Sequence, residues 1–316
     1  MNLVEEWHAD IAITEELVGN CLQEQFPDLM PIKKIQYDSE GWDNKVYLIN
    51  DKIIFRFPRR KIAVELIEQE NKVLTKLPKF HSVHIPLPNY IGQPSARYPY
   101  PFHGYELIKG KPAYQAQLSE AERIASLNVM ANFLKQLHSI KEQQAIAFGA
   151  QKQPFDRTIV TKAVNTLSER VNKIIERKIC DINFDLFQQE INTALQLQLP
   201  FDDMCLVHGD IDSRHMIFNA GQLVGIIDWG DMGINNKAAD LAIIWDFYPS
   251  SCHKEFFKIY GEVDSITWQY ARFLGLYSAF THILYGADIG DDLLAAEAVG
   301  AVKRINKNLL PPCQVS

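Results

Sequence analysis

The sequence predicts an α+β protein of two lobes, a small one built on an antiparallel sheet and a larger, mainly helical one holding a small sheet of its own. Three observations predict it. The segments IKKIQY, NKVYLIN and DKIIFRF follow one another between residues 32 and 57, rich in Ile, Val, Tyr and Phe and separated by short turns, which is the pattern of a meander. A proline-rich connector, HIPLPNYIGQPSARYPYPF, then interrupts the chain. Beyond it helical periodicity dominates, broken by three short β-branched segments, MCLVHGD, HMIFN and LVGIIDW. A length of 316 residues suits two lobes around a cleft, because single cores stop growing near ~250–300 residues.

Taken in order, the residues from Ile11 to Phe26 form a lead helix, with Ile13, Leu17, Cys21 and Leu22 at helical spacing and Thr14 near its start. The three strands follow. Residues 61–77 place Ala63, Leu66, Ile67, Val73, Leu74 and Leu77 on one stripe of an amphipathic helix that Pro78 ends. After the connector, HGYELIKGKP reads as an apolar strand running into a Gly-Pro segment, and the lobe boundary falls here, giving lobes of 1–105 and 106–316. Helices are expected over 119–140, about 156–178 and 183–198, and in four late segments between Lys237 and Lys307. No repeats or low-complexity tracts occur.

With 47% hydrophobic and 22% charged residues the chain has ordinary globular proportions. A net charge of −7 and a pI near 5.7 argue against a nucleic-acid partner, which needs clustered Lys and Arg. Mild acidity keeps a protein soluble, and it also tolerates a cationic substrate. The five cysteines, Cys21, Cys180, Cys205, Cys252 and Cys313, form no Cys-x-x-Cys pair and read as reduced thiols. The start, MNLVEEWHADIAITEELV, carries acid where a secretory signal carries positive charge, and no run of about 18 apolar residues follows, so no membrane role and a cytoplasmic location are expected.

The chemistry concentrates in two places. Leu206-Val207-His208-Gly209-Asp210 ends an apolar strand in a glycine turn and an acid; Asp228 ends the apolar run Val224-Gly225-Ile226-Ile227. The two carboxylates are expected at the ends of adjacent short strands, at the mouth of one cleft. Phosphoryl transfer uses such a pair, one acid positioning the hydroxyl nucleophile and accepting its proton, the other holding Mg²⁺ against phosphate oxygens. A glycosidase also uses two acids, and spacing alone leaves both readings open.

HGDIDSRHMIF followed by GIIDWGD resembles the catalytic loop and metal-binding segment of the aminoglycoside and macrolide phosphotransferases, kinase-like enzymes that phosphorylate antibiotic hydroxyls. EGWDNKVYLIN, IIFRFPRR and YPYPFHGYELIKG resemble that family's nucleotide loop, third strand and hinge, in order, and AADLAIIW resembles its post-loop helix. The matches cover roughly residues 30–250. The resemblance implies a bilobal, protein-kinase-like fold, ATP or GTP as phosphate donor, Mg²⁺, and an aminoglycoside- or macrolide-like hydroxyl acceptor, hence a role in antibiotic resistance.

On this resemblance Asp210 is the catalytic base or hydroxyl-orienting group, and Asp228 the main Mg²⁺ ligand. Each could otherwise be a turn aspartate. His208 supports the loop backbone, and Asp240 is the buried aspartate that braces it. His215 stands where most kinases carry a second metal ligand, Asn, and imidazole nitrogen suits hard Mg²⁺ less well than an amide oxygen. The macrolide branch and some aminoglycoside branches also resemble this chain in having His there. Arg56 stands where a kinase carries its strand lysine, keeping the charge and offering a planar fork to phosphate oxygens, with Glu70 as its ion-pair partner. Crowding by Arg59, Arg60 and Lys61 leaves open that Arg56 faces solvent. The loop Ser39-Glu40-Gly41-Trp42-Asp43-Asn44 is expected over the triphosphate, with Ser39 and Gly41 at the phosphates. Glu106 and Ile108 are expected to present the backbone carbonyl and amide that read the base.

Other signals carry less. GYELIKGKP fails as a P-loop, since five residues separate Gly104 from Gly110 and Pro112 replaces Ser or Thr. His81 and His84 lack further ligands, His138 reads as a helix-packing residue, and neither a Gly-x-Ser-x-Gly nor a Gly-x-Gly-x-x-Gly element occurs. Asp212, Asp231, Asp246, Glu255 and the pair Asp291-Asp292 are either a solvated face or a set for ammonium groups of a cationic acceptor. Trp245, Phe247 and Tyr248 either line an apolar acceptor pocket or fill the core. A kinase for another metabolite or a protein, and a silent nucleotide-binding module, are the competing functions.

Overall fold

The computed structural model describes residues 10–41, 43–156, 158–200 and 203–310. Helix α1 (Glu15–Gln25) starts where the Thr14 hydroxyl accepts a hydrogen bond from the Leu17 amide, and it buries Val18, Cys21 and Leu22. Strands β1 (Ile35–Glu40), β2 (Asn44–Ile49) and β3 (Ile53–Pro58) form the expected antiparallel meander, with Tyr37 opposite Tyr47 and Tyr47 opposite Phe55. Helix α2 (Ile62–Leu74) follows, its stripe of Ala63, Ile67, Val73 and Leu74 buried.

The connector is not only connector. It contains strand β4 (Tyr90–Gly92), which pairs with β5 (Phe102–Glu106) to complete a five-stranded sheet of order β1-β2-β3-β5-β4. Three residues between prolines are too few to show a period of two, so the pairing comes from the sheet and not from local pattern. Phe55, Phe57 and Phe102 fill the space between this sheet and α1, the last two stacked at 4.5 Å.

The remaining chain runs through β6 (Lys111–Pro112), α3 (Glu120–Ala125), α4 (Leu127–His138), α5 (Glu142–Phe148), α6 (Ile159–Glu176), α7 (Phe184–Leu195), β7 (Met204–Val207), β8 (Met216–Asn219), β9 (Gln222–Ile226) and β10 (Gly233–Asn236). Helices α8 (Ala238–Asp246), α9 (His253–Tyr260), α10 (Ser265–Ile289) and α11 (Asp292–Asn306) are the four late helices. The helix expected over 119–140 is broken at Ser126, whose hydroxyl donates to the Arg123 carbonyl and meets the Tyr248 hydroxyl, competing with continuation of the helix. Helices α4, α6, α8, α10 and α11 enclose a second, larger core, in which α10 packs on α6, α8 and α11.

Trp245, Phe247 and Tyr248 belong to that core: Phe247 and Tyr248 are buried, and Trp245 rests on His253 and Trp268. Among the described residues no helix is long and apolar enough to cross a membrane.

Candidate active site

The loop after β7 owes its shape to Asp240, in the first turn of α8. One oxygen of this fully buried carboxylate accepts the amide of His208 and the other that of Gly209, both at 2.8 Å. His138, which the sequence suggests only as a packing residue, bridges Asp240 at 3.1 Å and the Tyr260 hydroxyl at 2.7 Å. Burial raises and hydrogen bonds from His138 and the loop amides lower the Asp240 pKa, and the net direction is down, so it stays ionised under the loop. His208 is also buried. Its Nε2–H donates to the Ile227 carbonyl and its Nδ1 accepts the Asp210 amide, while burial pushes its pKa down to about 4. It is a neutral strut for the backbone.

Gly209 has φ +88°, and a Cβ there would lie 2.3 Å from the Asp231 carbonyl oxygen. Gly209→Ala is therefore expected to cost about 3 kcal/mol, combining an adverse φ with a backbone clash, and to lower Tm in thermal unfolding. An unchanged Tm would show that the loop relaxes freely.

The two acids do not project from adjacent strands. Asp210 follows β7, which pairs with β10, whereas Asp228 follows β9, in the sheet β6-β8-β9. Neighbouring apolar segments in sequence gave no hint that β10 would separate them into two sheets. They nevertheless meet, through His215. Its Nδ1–H donates to the Asp210 carbonyl at 2.7 Å, with the Asp210 carboxylate at 3.5 Å, and its Nε2 faces the Asp228 carboxylate at 3.5 Å. Burial lowers the imidazole pKa, but the carboxylates of Asp212, Asp210 and Asp228 outweigh it and raise the result.

Arg56 does not face solvent. It is 8% exposed, and its fork donates to Glu70 at 2.7 Å and to Asp228 at 2.9 Å, tying β3 and α2 to the loop after β9. Burial pushes Glu70 up to about 7 against the pull of Arg56. Asp228 behaves oppositely: desolvation in the cleft would raise it, but Arg56 and the imidazoles of His215 and His208 hold it at about 2. Desolvation and the neighbouring Asp212 push Asp210 up to about 7.

Arg56, Glu70, Asp210, His215 and Asp228 open on one cavity of about 820 Å³. Ser39, Gly41, Arg56, Glu70, Ile108, Asp210, His215 and Asp228 line it, so eight of the nine expected site residues share one space. Glu106 is the exception: its side chain is exposed and outside the lining, leaving only its backbone near the hinge. The Ile108 amide has no partner among the described residues, whereas the adjacent Leu107 amide donates to Lys52. Ion pairs of Glu40 with Arg59 and of Asp43 with Arg60 hold the loop between β1 and β2. Trp42 lies outside the described residues.

A model of the phosphotransferase enzyme family matches residues 34–274, more than half of the chain. The chain belongs to this family. Two curated family relatives, aminoglycoside 3'-phosphotransferases of Salmonella typhimurium and Escherichia coli, are 30% and 29% identical over 161 residues. That match is 49% of this chain and 56% of each relative, so it spans about half the length of these proteins. The solved GDP complex of aminoglycoside 2'-phosphotransferase-IIIa shares the fold, with a TM-score of 0.67 and 22% identity, covering 94% of this chain and 99% of that one. The macrolide 2'-phosphotransferase of Brachybacterium faecium, solved as the apoenzyme, superposes with a TM-score of 0.58 at 17% identity, over 91% and 98%. The fold is therefore the kinase-like one of this family, α+β, with an antiparallel sheet toward the N-terminus and helices toward the C-terminus.

The sequence reading missed Arg214. It grips the Asp212 carboxylate through Nε and its terminal nitrogen and comes within 3.4 Å of Asp210. Its place four residues after Asp210 was the available signal. Asp210, Asp212 and His215 cluster closely enough to suggest a metal, but the histidine nitrogen facing the two acids carries the proton donated to Asp210, and Arg214 occupies Asp212. The better fit for a hard divalent cation is the half-exposed Asp228 carboxylate, an oxygen donor at the cavity wall that His215 Nε2 also faces.

Proposed function

We propose that the chain transfers the γ-phosphoryl group of ATP or GTP to a hydroxyl of a small molecule, with residues 1–105 as the nucleotide lobe and 106–316 as the catalytic and acceptor lobe. The observation that carries this reading is the union of Asp210, His215, Asp228, Arg56 and Glu70 on one cavity. The names of the relatives make aminoglycosides and macrolides the first acceptors to assay, as in an antibiotic-resistance enzyme. A cytoplasmic location follows from the nucleotide it would consume.

In this reading Ser39 and Gly41 lie along the phosphates. A Cβ on Gly41 would meet nothing nearer than the Asn44 carbonyl at 3.9 Å, so the loop leaves room above the cavity. The free Ile108 amide and the Glu106 carbonyl read the base edge. Arg56, fixed by Glu70, donates to phosphate oxygens as a bidentate cation. Asp228, with His215 beside it, would hold Mg²⁺, which supplies charge neutralisation at the phosphates when bound.

Asp210 accepts the proton of the acceptor hydroxyl and orients its oxygen. That oxygen bonds to the γ-phosphorus, the bond from γ-phosphorus to the β,γ-bridging oxygen breaks, and the nucleoside diphosphate leaves with the electron pair. The test is transfer of labelled γ-phosphate, from ATP and from GTP, to a panel of aminoglycosides, macrolides and other hydroxyl compounds. The expected result is an acceptor that gains one phosphoryl group in step with diphosphate release. Diphosphate release with label recovered only as inorganic phosphate, whatever the acceptor, would contradict it.

A further inference from the structure

Helix α10 turns a single stripe toward the cavity: Tyr270, Leu274, Tyr277, Ser278, Thr281 and His282, spaced at helical intervals. This stripe contains no acid. Beside it, α6 contributes Ile159 and Arg170. The half-buried Arg170 donates to the Thr281 hydroxyl at 2.6 Å, and its guanidinium lies 4.7 Å above the Tyr277 ring. Among the described residues no carboxylate pairs with it, in contrast to Arg56, matched by Glu70, and Arg214, matched by Asp212. It adjoins the reacting centre through His282, which contacts Asp212 at 3.3 Å.

Most of the acids that the sequence offers either to ammonium groups or to a solvated face are committed elsewhere, and Asp292 lies exposed in the first turn of α11, outside the cavity lining. Asp212 is neutralised by Arg214 and faced by the imidazole of His282, Glu255 pairs with Lys258 on α9, and Asp291 caps α11. Asp246 is 8% exposed, and burial raises its carboxyl well above the usual carboxylate range. Asp231 is exposed, and its charged neighbours, Asp228, His215, Asp43 and Arg214, place it at the phosphate end of the cavity. Apart from Asp246, whose carboxyl pKa is raised by burial, the wall beyond Asp210 thus offers an unmatched cation among aromatic rings and hydroxyls.

Building on the phosphotransfer reading, we propose that Arg170 binds an oxyanion of the acceptor, a carboxylate or a phosphate, while the acceptor's carbon skeleton lies on Tyr270 and Tyr277 and its hydroxyl reaches Asp210. The acceptor is then a hydroxy compound that carries an oxyanion. Its hydroxyl oxygen takes the γ-phosphoryl group, and the proton passes to Asp210.

The experiment assays transfer with ATP, GTP and Mg²⁺ to four probe sets: the hydroxy-carboxylates glycerate and gluconate, glucose 6-phosphate, neutral glucose and glycerol, and kanamycin. Transfer is expected to a carboxylate or to the sugar phosphate, which separates the two sources of the oxyanion, with KM at least tenfold below that of the neutral counterpart. Arg170→Gln is expected to raise that KM by about 10- to 100-fold with kcat little changed, and Arg170→Lys to recover part of it. Kanamycin as the best substrate, or a KM indifferent to Arg170→Gln in a protein of normal Tm, overturns the proposal while leaving phosphotransfer intact. Transfer to none of the sets overturns the proposal, and transfer to no compound of the wider aminoglycoside and macrolide panel either, with nucleotide bound, overturns both.

Discussion

Asp210→Asn is expected to lower kcat by about 10³-fold or more while leaving nucleotide affinity and Tm close to wild type. The amide keeps the shape of the side chain. What it loses is the ability to take a proton, and general-base assistance contributes about 10²- to 10⁴-fold on its own. The loop should survive, because it is shaped by the amides of His208 and Gly209 on Asp240 and by the Asp210 carbonyl on His215, none of which uses the Asp210 carboxylate. Steady-state kinetics beside a melting curve separate the two contributions. A rate within threefold of wild type would remove Asp210 from the chemistry.

The same carboxylate sets an expected pH dependence. Desolvation and Asp212 push its pKa up to about 7, and only the ionised form accepts a proton. The kcat/KM of the wild type should therefore rise with pH through about 7 and fall tenfold per unit well below it. In Asp210→Asn the residual rate should lose this limb.

Asp228→Asn is expected to reduce turnover by a further two to three orders of magnitude, about 10²- to 10³-fold, for a different reason. Asparagine tolerates the positive φ of 62° at this position, so the backbone is not the cause of the loss. The substitution removes a negative charge that faces both Arg56 and His215. The diagnostic is a split: nucleotide binding measured without divalent cation should tighten or hold, since Arg56 is released from Asp228, while the strengthening brought by Mg²⁺ should disappear. A variant that still shows the full metal dependence would assign the cation to other ligands.

Much of this arrangement was legible in the sequence, and the gaps have physical causes. The meander, α2 and the four late helices announced themselves because each carries enough residues for its period to show. Strand β4 and the pair β6 and β10 did not, having two to four residues each, with pairing fixed by distant partners such as Phe218 opposite Lys111 and Val207 opposite Gly233. The loop from His208 to Asp210 was readable because its chemistry is local. Whether Arg56 pointed in or out was not, since three neighbouring cations made either face reasonable; the decision lies with Glu70 on α2 and Asp228, 172 residues away.

The acceptor side was the least legible. Counting acids along the chain left a solvated face and a surface for ammonium groups both open, because charge in a sequence says nothing about neutralisation in space. Arg214 cancels Asp212, and burial raises the Asp246 carboxyl well above the usual carboxylate range. The stripe on α10 was present in the sequence all along, as Tyr270, Leu274, Tyr277 and Thr281, yet a hydrophobic helix gives no sign of which face it leaves open until α6 and α8 cover the others.

A crystal structure with Mg²⁺ and a non-hydrolysable nucleoside triphosphate tests the central claim most directly. The expected result is the base against the Ile108 amide, the metal on Asp228, Arg56 on phosphate oxygens, and the γ-phosphoryl group turned toward Asp210 across the 820 Å³ cavity. A triphosphate bound outside this cavity, or with its γ-phosphate directed away from Asp210, would contradict it.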